Sequence, residues 1–513
     1  MGELSYYLMH KNIPITLISF SETGDIISYA NKIINAEHMP IIAQNHDTGI
    51  YDWWNNRAVP KTRDNLLQML SAKGLSVPQK YLFNNLGLSL TDCYWIKPID
   101  SDLTWEDVSL FSNPFKDDSL KFSKAENNTP EYSPNSSLLG NIEKTWAIKG
   151  NDRFLIKGNR TKKSYESLNE VLATQIHDLQ KHDCARYDLL HIAGKSYEYG
   201  CITKIFTSEK LELVSAYEIL LCSSSFPGSN YDKLIRFCES MGMKKERAIL
   251  DYDYLILSDY ILSQTDRHFN NFGFLRDPDT LELLCPAPIY DSGNSMYFDS
   301  IAPKSESDLL HLSTKGLASD LEQSLSFVHD ASVIDLTKLP SVSDIKELYK
   351  KDIETDPNHL EGICYAYEKR IDRCRNFQLG ISQKTPIYFQ IPEKDKELVN
   401  AFIDDSQISY WMRDFKENLY YLFLQKRKNL ATLEKQTQNR LDDVFHKLIL
   451  RFENKGFDKK DFVEYIKTMK IIENQTELEY VLKRYFKESL NSKDFEPNIK
   501  DDPDSDDWTG LGK

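Results

Sequence analysis

The stretch that most constrains this chain runs from Asp266 to Gly293. It reads Asp-Arg-His-Phe-Asn-Asn-Phe-Gly-Phe-Leu-Arg-Asp, then Pro-Asp-Thr, then Leu-Glu-Leu-Leu-Cys-Pro-Ala-Pro-Ile-Tyr-Asp-Ser-Gly. Two short apolar runs flank a Pro-Asp turn, so a β-hairpin is expected, with Asn271 and Asp291 at the same end of it. Asp266 stands five residues before Asn271, and Asp291 follows twenty residues after it. Phosphoryl transfer from a nucleotide needs one group to orient the attacking hydroxyl and oxygen ligands to hold magnesium against the phosphates. In that division of labour Asp266 orients, while Asn271 and Asp291 hold the metal. An Asp-x4-Asn spacing also arises by chance in a long polar chain, and Asp-Ser-Gly is an ordinary turn. The rest of the sequence decides between the two.

Residues 136–159 (SSLLGNIEKTWAIKGNDRFLIKGN) read as a loop, a strand through Thr145–Ile148, a Gly-Asn-Asp turn and a strand through Phe154–Lys157. Alternation along that second strand points Lys157 to the face opposite Ile156. There a lysine can neutralise α- and β-phosphates as a point charge. A helical stretch follows, Tyr165–Leu179, with Leu168, Val171, Leu172, Gln175 and Ile176 on its buried face. On it, Glu170 is the acid that would pair with Lys157 and fix its position. Most strand-end lysines and helix glutamates are solvated surface, but the joint order of these two before Asp266 is harder to dismiss. The strand at 200–208 falls where a connection between two lobes would hold an adenine against backbone groups. The helical stretch 245–264 carries Leu250, Tyr254, Leu257 and Ile261 as an apolar stripe and delivers its C-terminal end to Asp266.

The chain has 513 residues, enough for two or three domains. Its 63 Lys and Arg against 78 Asp and Glu give a net charge of -15, which repels phosphate backbones and argues against direct nucleic-acid binding. Eight cysteines at 93, 184, 201, 222, 238, 285, 364 and 374 form no C-x-x-C pair, and several lie within apolar runs. They read as reduced core thiols of a cytoplasmic protein. No stretch approaches the roughly 20 apolar residues of a membrane span, and no signal-peptide core forms at the N-terminus.

Residues 13–20 and 26–30 read as a hairpin, and a helix is expected near 62–73. Trp53 and Trp54 beside Arg57 read as core with a stacked arginine in preference to a binding surface. Residues 111–137 are polar and proline-containing, a domain junction or mobile loop. Beyond Asp291 the pattern is helical, over 306–313, 341–352, 358–378, 394–404, 409–435 and much of 440–490. The acidic end, 496–513, reads as a disordered tail.

Taken in order, GNIEKT (140–145), FLIK (154–157), Asn169-Glu170, the strand at 200–208, DRHFNN (266–271) and PAPIYD (286–291) resemble the HipA-like serine/threonine kinases of bacterial toxin-antitoxin systems. The resemblance covers about residues 1–380. It implies that Asp266 is the catalytic aspartate, that Asn271 and Asp291 bind magnesium and that Lys157 contacts the nucleotide phosphates. It also implies that the backbone near Lys204–Phe206 holds the adenine and that Ser137 is an autophosphorylated loop serine. The phosphate loop carries only Gly140, without the Gly-x-Gly-x-x-Gly of ordinary protein kinases. Arg267 gives the Asp-Arg-His-x-x-Asn order that phosphoinositide kinases use, but the phosphate-loop segment and cytosolic character favour the HipA-like reading. His268 is read as bracing the loop, not as moving protons.

The expectation is an α+β, two-lobed protein-kinase-like fold. Its segments are an N-terminal subdomain over 1–125, an N-lobe over 126–210, a helical C-lobe over 211–390, a helical extension over 391–495 and the acidic tail. Its expected cofactors are ATP and Mg2+. Its expected partners are a protein substrate with a Ser or Thr acceptor and a small helix-turn-helix antitoxin, with no membrane and no direct nucleic acid. The rivals are a kinase-shaped scaffold without catalysis and a phosphoinositide-kinase-like lipid kinase.

Overall fold

The computed structural model describes residues 4–21, 27–44, 49–115, 132–223, 226–305, 309, 312–379, 431–468 and 475–486, with scattered positions between 398 and 423. It is a mixed helix and sheet structure with two compact units, Met1–Lys384 and Thr385–Lys513. The tail at 496–513 and most of the helices expected at 306–313, 394–404 and 409–435 lie outside the described residues.

The first unit holds three antiparallel sheets. Strands β1 (Leu4–His10), β2 (Ile13–Phe20), β3 (Ile27–Ile33) and β4 (Tyr94–Pro98) form the first, in the order β3-β2-β1-β4. The expected pairing of β2 with β3 is present. The sequence reading passed over β1, which lies between β2 and β4. A central strand has neighbours on both edges and need not alternate apolar with polar, and Leu8, Met9 and His10 are all buried in succession. Helices α1 (Gly49–Arg57), α2 (Leu66–Ala72), α3 (Pro78–Asn84) and the single turn α4 (Trp105–Val108) accompany this sheet. Trp53 and Trp54 are core residues, and the Arg57 guanidinium lies 5.0 Å from the Trp53 ring centroid while pairing with Asp92.

The second sheet, β5 (Lys144–Lys149), β6 (Asp152–Lys157), β7 (Tyr187–His191) and β8 (Tyr199–Lys204), has the order β5-β6-β8-β7. Helix α5 (Tyr165–Gln180) leads from β6 to β7, with Leu168, Leu172 and Ile176 at four-residue spacing and fully buried; Val171 and Gln175 are half-buried at its edge.

Beyond β9 (Glu212–Ser215) come α6 (Ala216–Cys222), α7 (Asn230–Ser240) and α8 (Lys245–Leu262). The start of α7 is fixed by a capping box, in which Ser229 and Asp232 each satisfy the other's backbone amide. Every residue of α8 from Tyr252 to Leu262 is buried, as expected of a helix enclosed by the core. Leu250 departs from expectation: it is 45% exposed, in the stretch of α8 before Tyr252, where only Ala248 is buried and the helix is not yet enclosed on all sides. Strands β10 (Gly273–Arg276) and β11 (Leu283–Pro286) form the expected hairpin, with Phe274 opposite Pro286 and Leu275 opposite Cys285, and β9 joins β10 on its other edge. Gly273 permits that junction, since a Cβ there would run into the Val214 carbonyl.

Helices Val342–Tyr349 and Pro357–Gln378 complete the first unit, within one residue or so of their expected limits on most ends. The second unit contains helices Ala431–Asn454, Lys459–Thr468 and Gln475–Val481 around a core of its own, which includes Phe402, Phe415, Leu448, Phe452 and Phe462. All eight cysteines are free thiols, seven buried and Cys285 half-buried. Among the described residues no helix is long and apolar enough to cross a membrane.

Candidate functional site

Lys157 closes β6 and points away from Ile156, which packs with Ile192 and Tyr197 on the other face of the sheet. Its ammonium pairs at once with Glu170 of α5 and with Asp291 of the Asp-Ser-Gly turn. Burial alone would drive the lysine proton off. The two carboxylates, Asp291 ahead of Glu170, outweigh that and hold its pKa well above the ordinary value. For Asp291 burial likewise opposes the charge, and Lys157 followed by Lys144 reverses it, so the carboxyl stays ionised far below its usual range. Glu170 also ties down the turn beyond Asp291, its second oxygen accepting from the Ser292 amide at 2.9 Å.

The neighbouring α5 residue holds the same turn. The Asn169 side-chain amide donates to the carbonyls of Gly293 and Ser295 at 2.8 and 2.7 Å, and its oxygen accepts from the Tyr349 hydroxyl. Asp291 itself has φ of +59°, a left-handed conformation that costs a non-glycine residue energy unless its surroundings enforce it. Gln264, fully buried, is part of that enforcement. Its side-chain nitrogen donates to the Asp291 carbonyl at 3.1 Å and its side-chain oxygen accepts from the Asp266 amide at 3.0 Å.

The loop from Asp266 to Asn271 is held mainly by its own backbone and by Arg267. The His268 amide donates to the Asp266 carbonyl at 2.8 Å, and the Asn271 amide to the His268 carbonyl at 2.7 Å. The Asn271 side-chain nitrogen donates to the Asp266 carbonyl at 2.9 Å, which leaves its side-chain oxygen as the end able to face a cation. The buried Arg267 guanidinium donates to the carbonyls of Asn271 and Tyr290 and to the Ser292 hydroxyl, so it links this loop to the Asp291 turn. Asp266 pairs with Lys315 at 2.7 Å through one oxygen and accepts from Asn294 at 2.7 Å through the other. His268 is half-buried; burial lowers its pKa against the pull of Asp266 and Asp291 and favours the neutral ring, whose Nδ1 accepts from the Asn270 amide at 3.3 Å.

Of the sequence-derived residues, Lys157, Glu170 and Asp291 are in direct contact, and Asp266 and Asn271 are joined to them through Gln264 and Arg267. Gly140 lies at a turn with φ of +96°, where a Cβ would collide with the Lys144 ammonium. Phe206 stacks obliquely on Tyr290 with centroids 5.5 Å apart. The Lys204 side chain departs from the site: it is an exposed surface group paired with Asp152, so only its backbone is available for a nucleotide. Ser137, expected in a mobile loop, is buried in a short 3-10 turn over Pro134–Ser137, its hydroxyl donating to the Leu88 carbonyl at 2.8 Å. The sequence reading did not single out Gln264, Asn294, Lys315 or Lys144. Isolated amides and lysines carry no spacing signal, and their place emerges only when the hairpin closes.

The donors that would meet a metal are an ionised carboxylate and a carboxamide oxygen, hard ligands of the kind magnesium takes when phosphates supply the remaining oxygens. Among the described residues no group of three or more His, Cys, Asp or Glu side chains is arranged to hold a metal ion.

No family model matches the sequence, and no curated protein does. Solved structures to which the chain is similar include the Helicobacter pylori proinflammatory kinase CtkA. That likeness covers 47% of this chain and 97% of the other, at 18% identity and a TM-score of 0.34. Another is HipA of Shewanella oneidensis MR-1, solved in a toxin-antitoxin complex with HipB and operator DNA. It covers 73% of this chain and 97% of the other, at 14% identity and a TM-score of 0.43.

Proposed function

We propose that the chain is an ATP- and magnesium-dependent phosphotransferase with a two-lobed kinase-like first unit, acting on a Ser or Thr hydroxyl of a protein. The observation that carries this reading is the buried Lys157 ammonium shared by Glu170 and Asp291, with Asp266 and Asn271 tied to the same turn through Gln264 and Arg267. Magnesium, when bound, would neutralise charge on the β- and γ-phosphates. The carboxylate of Asp291 and the side-chain oxygen of Asn271 would hold it, Lys157 would steady the phosphates, and Glu170 would position Lys157. Asp266 would orient the acceptor hydroxyl and accept its proton. The backbone from Lys204 to Phe206 would receive the adenine, with the Phe206 and Tyr290 rings beside it.

Regulation by phosphorylation of Ser137 belongs to this reading and carries a structural condition. The hydroxyl is buried against Leu88, so the 3-10 turn must leave its seat before the serine can meet a phosphoryl donor. A growth-arrest role opposed by a small helix-turn-helix antitoxin is part of the same proposal, supported by the motif resemblance.

The test is incubation of the purified full chain with labelled ATP and magnesium. Transfer to protein that falls by about 10²–10⁴-fold in Asp266→Ala supports the enzyme. Nucleotide binding without transfer supports a scaffold, and transfer only to phosphoinositide vesicles supports a lipid kinase.

A further inference from the structure

The turn that follows β6 reads Arg160-Thr161-Lys162-Lys163, three cations in four residues of a chain whose net charge is -15. Its first residue is held from two sides. The Arg160 amide donates to Glu166 at 2.9 Å, and its guanidinium lies 5.3 Å from the Phe298 ring centroid, just beyond the Asp-Ser-Gly turn. Stacking of this kind fixes where the charge sits without neutralising it. Glu166, the carboxylate paired with that guanidinium, stands 3.4 Å away, and the Arg160 side chain stays 37% exposed. The two lysines of the turn are engaged elsewhere: Lys162 pairs with Glu354 at 2.6 Å, and the Lys163 ammonium lies 5.1 Å from the Tyr165 ring centroid.

From Arg160 a run of side chains leads to the proposed catalytic aspartate. Its Nη2 donates to the Asn294 side-chain oxygen at 3.4 Å, and the Asn294 nitrogen donates to Asp266 Oδ2 at 2.7 Å. The Asn294 carbonyl accepts from the Thr265 amide and hydroxyl at 3.2 and 3.1 Å, which anchors the asparagine to the catalytic loop. On the other side, the Lys315 amide donates to the Thr265 carbonyl at 3.2 Å and its ammonium lies 2.7 Å from Asp266 Oδ1. That contact is charge pairing alone: Oδ1 is buried and accepts no hydrogen bond among the described residues, while the Lys315 side chain is 58% exposed. Asp266 thus stands between two partly solvated cations, with one buried oxygen whose hydrogen-bonding capacity is unused.

We propose that Arg160 and Lys315 form an acceptor subsite that selects a Ser or Thr flanked by an acidic group, a carboxylate or a phosphate. The proposal rests on the phosphotransferase reading above and names its substrate class. An acidic neighbour gives both cations charge-assisted bonds, whereas a basic one meets like charge on either side of Asp266. It also frees the aspartate. When the Lys315 ammonium turns to the acidic group, Oδ1 loses its ion partner and is left to accept the hydrogen bond of the incoming hydroxyl. The acidic balance of the whole chain opposes such an acceptor only weakly, because salt screens distant charges beyond about 10 Å at 0.1 M. The two cations at the site decide.

The experiment uses the full chain and serine peptides that share one neutral core and carry Glu, phosphoserine, Ala or Lys beside the acceptor. Initial rates with labelled ATP and magnesium are compared for wild type, Arg160→Ala, Arg160→Lys, Arg160→Glu and Lys315→Gln. Fluorescence anisotropy of the same peptides, dye-labelled and without nucleotide, follows binding alone. Wild type is expected to use an acidic peptide about tenfold or more efficiently than the Ala peptide in kcat/KM, chiefly through peptide KM. Arg160→Ala and Lys315→Gln are expected to erase that preference, Arg160→Lys to keep part of it, and Arg160→Glu to turn it toward the Lys peptide. A preference for phosphoserine over Glu assigns the subsite to acceptors already phosphorylated, the reverse to carboxylates, and either supports it. Equal use of all peptides by wild type, or an acidic preference that survives Arg160→Glu, overturns the subsite and leaves the kinase reading standing. Acidic peptides bound through Arg160 but never phosphorylated would keep the subsite and sink the kinase reading. Neither binding nor transfer would overturn both.

Discussion

Arg267 and Asp259 meet through two parallel hydrogen bonds, Nε to Oδ2 and Nη2 to Oδ1, each 2.9 Å long and both buried. Burial pushes the Asp259 carboxyl up, while Asp259 in turn holds Arg267 above its ordinary pKa; the bidentate geometry favours the ionised pair. The remaining donors of the same guanidinium reach the loop after Asp266 and the turn after Asp291. Removing it leaves a buried carboxylate alone. Arg267→Met is expected to lower the unfolding free energy by about 3–5 kcal/mol, read from denaturant midpoints, and to abolish transfer. A midpoint unchanged from wild type contradicts this account.

Lys157→Met removes the cation that Glu170 and Asp291 share. Loss of a preorganised charge of this kind costs about 10²–10³-fold in turnover, so initial rates with labelled ATP are expected to fall in that range. Glu170→Gln is expected to be milder, since a glutamine oxygen can still accept from the Ser292 amide. Equal losses in the two variants would mean that Glu170 does more than hold the lysine.

Glu212 is fully buried where the first sheet meets the hairpin. It accepts from His10 at 2.8 Å, from the Cys93 amide at 2.7 Å and from Arg276 at 2.6 and 3.1 Å. Burial opposes its charge, and Arg276 followed by His10 outweighs burial and holds the carboxyl well below the usual range. Glu212→Gln leaves Arg276 without a counter-charge in the core and is expected to cost about 3–5 kcal/mol. The double variant Glu212→Gln/Arg276→Met is expected to be more stable than the single one, and chemical denaturation of both gives the answer.

His177 sits within α5, its Nδ1 2.9 Å from the Tyr254 hydroxyl. Burial first, then His182 and Arg267, lowers its pKa to about 3 from an ordinary 6.5. The unfolded chain therefore binds a proton that the folded chain refuses. The stabilisation is complete above pH 6.5 and is lost as pH falls toward 3, at no more than about 1.4 kcal/mol per unit. His177→Gln is expected to flatten the slope of stability between pH 6 and 4 relative to wild type, as denaturation at stepped pH would register. Parallel curves for the two proteins would rule this out.

The legible parts of the chain were those with a local period or turn. The β5-β6 hairpin, α5, the end of α8 and the β10-β11 hairpin all stood close to their expected limits, and with them the approach of Lys157 to Glu170 and Asp291. What escaped depends on distant pairing. β1 is defined by partners on both sides, Gln264 by bonds to two segments, and Arg63 by a loop some 75 residues away. Ser137 misled for a related reason, because proline and polar residues signal a loop without saying whether a neighbouring sheet will cover it.

The two hydrogen bonds of the Gln264 carboxamide run from opposite ends of one planar group, so a shift of either segment alone costs one of them. Turning the amide to release the Asp291 carbonyl swings its oxygen away from the Asp266 amide in the same stroke. The loop and the aspartate turn are therefore coupled through one side chain, and whatever loosens one weakens the hold on the other.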